Sequence, residues 1–101
     1  MKFTINKANL SVSPAIWLRQ AGYSIFMDKR SGQDSYTRRL GGNFYPRFHI
    51  YIEESQEQYI FNLHLDQKRP SYPGARAHSG EYDGEYVEQE IARLKALVRN
   101  S

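Results

Sequence analysis

The chain has 101 residues, 14 Lys and Arg against 11 Asp and Glu, and no cysteine. A chain of this length fits one domain with one modest core. The missing cysteines exclude disulfides, cysteine-ligated zinc, iron–sulfur clusters and thiol chemistry. Five Phe, eight Tyr and one Trp, within 40% hydrophobic content, argue against disorder. No apolar run approaches the ~18 residues of a membrane span, and residues 1–7 lack the apolar core of a signal peptide. The expectation is a soluble, cytoplasmic protein with no membrane partner. Charge is uneven. Residues 1–50 carry eight basic and two acidic groups, net +6, while residues 51–101 carry six and nine, net −3. A basic half suits phosphate-bearing partners, and a solvated surface explains it as well.

Residues 1–12 alternate weakly at Phe3, Ile5, Leu10 and Val12, as a short edge strand or extended arm would. Ser13-Pro14 is a helix start, with Ser as N-cap and Pro at the first helical position. Gly22 is the expected stop. A helix this short must dock, through Ile16, Trp17 and Leu18. Tyr23 to Lys29 reads as a strand with Tyr23, Ile25 and Met27 on one side. A turn at 30–34 leads to a second strand, Ser35 to Leu40, with Tyr36, Arg38 and Leu40 on one side and Thr37 and Arg39 on the other. Pairing Met27 with Arg38 and Ile25 with Leu40 fits the loop length.

The clearest strand is Arg47 to Glu54. Phe48, Ile50 and Ile52 point one way; His49, Tyr51 and Glu53 point the other. After a turn at 55–58 the next strand turns Phe61, Leu63 and Leu65 to the core and Asn62, His64 and Asp66 away. Matching apolar faces pairs Phe48 with Leu65, Ile50 with Leu63 and Ile52 with Phe61. The same register sets His49 across from His64, Tyr51 across from Asn62 and Arg47 across from Asp66, while a slip of two residues would pair Arg47 with His64 instead. Residues 67–84, rich in Pro and Gly, are expected as a long functional loop. A closing helix over about 84–98 carries the stripe Val87, Ile91, Leu94 and Val98, flanked by Leu97. Asp83, Glu85, Glu88 and Glu90 near its start and Arg93, Lys95 and Arg99 near its end complement the helix dipole. Ser79 or Asp83 is the expected N-cap. The fold class is therefore α+β: a short N-terminal helix, a four-stranded, mainly antiparallel meander, and a C-terminal helix on one sheet face.

Several constellations could carry chemistry. His49, His64 and Asp66 on the polar face, with His78, Glu81 and Asp83 in the loop, are a ligand set for a divalent metal such as zinc, manganese or iron. A cross-strand His pair beside an Arg47–Asp66 salt bridge is the bland alternative. Asp66-Gln67-Lys68 at a strand end resembles the half-motif of PD-(D/E)xK nucleases. There the carboxylate would hold magnesium and the lysine would steady the attacking water, with Asp28 or Glu53 as the second acid. Lys29, Arg30, Arg38, Arg39, Arg47, Lys68, Arg69 and Arg76, interleaved with Tyr36, Tyr45, Tyr51 and Tyr72, offer guanidinium forks for phosphates and rings for unpaired bases. His78-Ser79-Gly80 could present backbone N–H groups to an anion, but no Gly-x-Ser-x-Gly elbow accompanies Ser79.

The segment Leu18-Arg19-Gln20-Ala21-Gly22-Tyr23 and the order helix, three strands, helix resemble the double-stranded-RNA-binding type of α+β fold and the HicA-type toxin ribonucleases related to it. The resemblance covers about a quarter of the chain. It implies that outline of fold; the hairpin matching those toxins' catalytic histidine reads Ser31-Gly32-Gln33-Asp34-Ser35-Tyr36, so no catalytic residue is carried over.

The leading expectation is a binding module for nucleic acid, RNA before DNA, or another phosphate-bearing partner. Arg38, Arg39, Arg47, Lys68, Arg69 and Arg76 would hold phosphates, and Tyr51 and Tyr72 would stack. The enzymatic alternative is a metal-dependent phosphodiesterase built on His49, His64, Asp66 and His78, with Lys68 as a further catalytic candidate and zinc, manganese or magnesium as cofactor. A third reading is a protein-interaction module using the loop and a Tyr82/Tyr86 ridge.

Overall fold

The computed structural model describes residues 1–27, 34–43, 45–67 and 79–99, with side chains in the last stretch from 84 to 98. The elements are β1 (Lys2–Asn6), a 3-10 turn (Lys7–Asn9), α1 (Pro14–Gln20), β2 (Ser24–Met27), β3 (Asp34–Arg39), β4 (Arg47–Glu54), β5 (Gln58–Asp66) and α2 (Ser79–Arg99). The strands form one antiparallel sheet in the order β1-β5-β4-β3-β2. The α+β class holds, but the sheet has five strands where the sequence suggested four. The addition is β1, which pairs with β5 so that Phe3 lies opposite Phe61 and Ile5 opposite Tyr59. Its weak alternation is enough: pairing buries Phe3 and Ile5, and Phe3 stacks on Phe61 at 4.9 Å.

The β4–β5 register is the one read from the apolar faces, from Arg47 opposite Asp66 to Ile52 opposite Phe61. The β2–β3 register is not. Ile25 lies opposite Tyr36 and Met27 opposite Asp34, four residues from the expected pairing. An even slip keeps every side chain on its face, so the apolar pattern could not choose between the two. The observed pairing sets Phe26 opposite Ser35, whose Oγ donates to the Phe26 carbonyl at 3.0 Å.

Ser13 caps α1 as expected, its Oγ accepting from the Ile16 N–H at 3.3 Å, with Pro14 in the first turn. Gly22, at φ 102°, ends it. The Gly22 N–H donates to the Arg19 carbonyl at 3.1 Å and the Tyr23 N–H to the Leu18 carbonyl at 2.9 Å. This is the Schellman pairing, and it needs the left-handed conformation that glycine adopts cheaply. It delivers Tyr23 directly into the core.

Helix α2 begins at Ser79, five residues before the expected Gly84. Asp83 therefore lies a turn inside the helix, and the irregular segment expected over 67–84 ends earlier. Gly80 and Gly84 each cost only about 1 kcal/mol of helix propensity, which docking overrides. Residues 68–78 lie outside the described residues. Val87 and Leu94 are buried, with Ile91, Leu97 and Val98 packed beside them. Together with Trp17 and Leu18 they cover the face made by Phe3, Ile5, Tyr36, Phe48, Ile50, Phe61, Leu63 and Leu65. Both helices thus occupy one side of the sheet. No helix among the described residues is long and apolar enough to cross a membrane.

One buried polar cluster joins these elements. Glu90, 4% exposed, accepts from the Tyr23 hydroxyl at 2.5 Å. Arg93 grips the same carboxylate with Nε at 2.7 Å and Nη2 at 2.8 Å. Its Nη2 also donates to the Ala21 carbonyl at 3.0 Å, satisfying the end of α1. Arg38 of β3 approaches Glu90 at 3.6 Å. Burial pushes the Glu90 carboxyl up, but the bonds from Arg93 and Tyr23 outweigh it and hold the group below its ordinary value. Burial, then Glu90, push the Tyr23 hydroxyl well up.

A carboxyl held low in the folded state stabilises above its unfolded value and loses that contribution as pH falls through the folded one. Glu90→Gln should cost about 3 kcal/mol in urea unfolding at neutral pH, because it leaves the guanidinium groups without their counter-charge. The gap to the unsubstituted chain should narrow on acidification below the carboxylate range. A gap that stays constant with pH would show that the charge on Glu90 is immaterial.

Candidate functional site on the open sheet face

Among the described residues, the other side of the sheet carries no helix. Alternation along β4 sends Arg47, His49, Tyr51 and Glu53 there, and the register adds Asp66, His64 and Asn62 from β5 and Ser35, Thr37 and Arg39 from β3. Phe26 and Ser24 continue it on β2, and Lys2, Thr4 and Asn6 on β1.

At one end of this face, Asp66 Oδ2 receives two contacts. His49 Nδ1 lies 3.0 Å from it, and Arg47 Nε donates to it at 3.2 Å. Burial pushes the Asp66 carboxyl up, and the His49 and Arg47 interactions outweigh this and bring it below the usual carboxylate range. Arg47 is buried, its guanidinium 5.5 Å from the Phe26 ring centre and 5.1 Å from that of Tyr45. Stacking suits the flat, weakly hydrated guanidinium and makes its burial tolerable. His49 Nε2 is buried and has no hydrogen-bond partner among the described residues.

A row of rings crosses the middle. His49 and Tyr51 lie 4.5 Å apart, and Tyr51 and His64 meet edge to face at 6.4 Å. These separations fall in the range where aromatic rings attract. Ser35, fully buried, sits in register between Phe26 and Tyr51. His64 is exposed, and burial, the Met1 ammonium and His49 lower its pKa while Asp66 opposes them.

The structure brings together His49, His64, Asp66, Arg47 and Tyr51 as the sequence suggested. It separates others. Arg38 lies on the helix-covered face, turned to Glu90, so it cannot share a ligand with Tyr51. Glu53 pairs with Ile60 at the far end of the hairpin. Six residues of strand, roughly 20 Å, divide it from the position of Asp66, so the two cannot share a metal. Among the described residues no group of three or more His, Asp or Glu side chains is placed to hold an ion. Asp28, Lys68, Arg69, Tyr72, Arg76 and His78 lie outside the described residues, as do the side chains of Glu81, Tyr82 and Asp83. The His49–Asp66 pair is hydrogen-bonded through Nδ1, which fixes the orientation of the imidazole.

Phe26 and Tyr45 as walls for Arg47 lie beyond the sequence reading, although alternation along β2 already turns Phe26 to the other face from Ile25 and Met27. On the helix side of the same sheet end, a cleft of about 610 Å³ is lined by Leu40, Pro46, Leu65, Gln67 and Tyr86. No protein-family model matches this chain, and no curated protein and no solved structure matches it significantly.

The electrostatics of the face can be read from His64. Its imidazole should titrate below the ordinary value of 6.5 by NMR. Asp66→Asn should move the midpoint lower still, since the carboxylate is what opposes the fall. A lowered histidine pKa stabilises the fold above 6.5 and loses that contribution as pH drops through the folded value. A midpoint above 6.5, or one that rises in Asp66→Asn, would contradict the arrangement.

Proposed function

We propose that this chain binds single-stranded nucleic acid, RNA in preference to DNA, on the open face of its sheet. The observation that carries this reading is the row of rings His49, Tyr51 and His64, with Phe26 beyond it, on the side of an antiparallel sheet that neither helix covers. Unpaired bases stack on such rings whatever their identity, and sequence-tolerant stacking is worth ~1–3 kcal/mol per base. Recognition of splayed-out bases on aromatic side chains is chiefly an RNA habit. Asn62 and Thr4, on the same face, supply amide and hydroxyl groups for base edges and the ribose 2′-hydroxyl.

The phosphates would be met by Arg39 and Lys2 at the margins, and by Lys68, Arg69 and Arg76, which follow β5 in sequence with Tyr72 among them. Arg47 takes a different part from the one its sequence suggested: paired to Asp66 and enclosed by two rings, it holds the face in shape. Metal-dependent phosphodiester hydrolysis draws no support from the described residues, among which no three His, Asp or Glu side chains are placed to hold an ion. A protein-interaction role would use the cleft beside Tyr86, which is 49% exposed.

Fluorescence anisotropy with labelled RNA and DNA oligonucleotides of about ten nucleotides tests the reading. RNA should bind more tightly than DNA of the same sequence. Tyr51→Ala should weaken binding by about 5- to 150-fold, the equivalent of one lost stack, while Tyr51→Phe should retain it. Equal affinity for the unsubstituted protein and Tyr51→Ala would remove the ring row from the site.

A further inference from the structure

The two edges of the sheet are unlike. On β1 the apolar side chains Phe3 and Ile5 are buried, and the exposed ones are Lys2, Thr4 and Asn6. A lysine and short polar groups are a usual protection of an edge against pairing with another chain. β2 has only the protection of its shortness. Ser24–Met27 contains no charge, no proline and no glycine, and three of its four side chains are large and apolar. Ile25 is 50% exposed, Phe26 43% and Met27 65%. Among the described residues β2 is the last strand of the sheet, so one line of its backbone N–H and C=O groups also faces outward.

We propose that two copies of this chain join edge to edge through β2, forming one continuous ten-stranded antiparallel sheet. Outward-facing backbone groups call for a strand, and the sequence of β2 complements itself. A twofold axis perpendicular to the sheet keeps like faces together, so it must pass through a residue or relate residues of equal parity. Centred on Phe26, the axis pairs Phe26 with Phe26 of the second copy, Ile25 with its Met27, and Met27 with its Ile25. Every large apolar side chain of the edge then gains an apolar cross-strand neighbour. Centred on Ile25, the axis would pair Ser24 with Phe26 and leave Met27 without a partner within the strand. The first register is therefore favoured.

In this assembly the helices of both copies lie on one side. The two ring-bearing faces become one surface with the Phe26 pair at its centre, each ring backed by Arg47 of its own copy at 5.5 Å. The pairing goes beyond the nucleic-acid reading and holds or fails without it.

Sedimentation equilibrium of the full chain, over about a hundredfold range of concentration, should show a monomer passing to a dimer. Phe26→Lys should give a monomer throughout, with its fold checked by far-UV circular dichroism. Thr4→Lys, on the protected edge, should leave the dimer intact. A wild type that stays monomeric overturns the proposal, and so does a dimer indifferent to Phe26→Lys. The register has its own test, which does not need the lysine variant to fold. The chain has no cysteine, so Phe26→Cys introduces a lone thiol whose Cα would lie about 5 Å from its copy, within disulfide reach. Mild oxidation should link Phe26→Cys into covalent dimers. Ser24→Cys, four residues from its copy along the strand and so roughly 13 Å away, should remain uncrosslinked. Crosslinking of Ser24→Cys in preference to Phe26→Cys would overturn the register.

Discussion

The carboxylate of Glu90 is the contact on which the arrangement turns. It is withdrawn from water at a point where α1 ends, β2 begins, β3 passes and α2 crosses. A buried charge with one partner missing would be costly, so the cluster tolerates one geometry in which Tyr23, Arg93 and Arg38 all converge. Apolar packing alone would hold α2 on the sheet without fixing its rotation. The Tyr23 hydroxyl's bond to Glu90 and the Arg93 bond to the Ala21 carbonyl fix it. Both helices are thereby committed to one face, and the other is left bare.

The bare face has its own lock. Asp66 holds His49 and Arg47 at once, and Arg47 is closed between Phe26 and Tyr45. Phe26 of β2 thus reaches Arg47 of β4 across β3, and Ser35, opposite Phe26 in register, is fully buried on this side.

Legibility from the sequence followed the range of the forces involved. The faces of β4 and β5 were readable because two long alternating strands share a short turn, and an odd slip would expose an entire apolar row; the short turn favoured the observed pairing over a slip of two. The Ser13 cap, the Pro14 start and the Gly22 stop were readable because capping is settled within a few residues. The β2–β3 register was not, since slips by an even number leave the faces unchanged. Nor was the pairing of β1 with β5, which joins residues nearly sixty positions apart and turns on what edge the finished sheet leaves open. Glu90 was hidden among Glu85 and Glu88, which have the dipole of a helix start to explain them. Only a tertiary view separates the one acid that faces inward. Of the site, the His49–His64–Asp66–Tyr51 grouping was legible through register. The spending of Arg38 and Arg47 on internal pairs was not, because charge counting treats every arginine as equally available.

That last point bears on how a polynucleotide would be held. The excess of positive charge in the first half of the chain suggests an electrostatic grip. Yet Arg38 is engaged by Glu90 and Arg47 by Asp66, each beside the face or beneath it. Among the described residues, Lys2 and Arg39 stand at the margins of the face on strands separated by β4 and β5. A backbone running across the strands would meet them at its two ends and meet rings between. Stacking on those rings would depend little on salt, whereas phosphate contacts would depend on it strongly. The carboxylate of Asp66 favours stacking at its end of the face, since it repels phosphate where Arg47 would otherwise attract it.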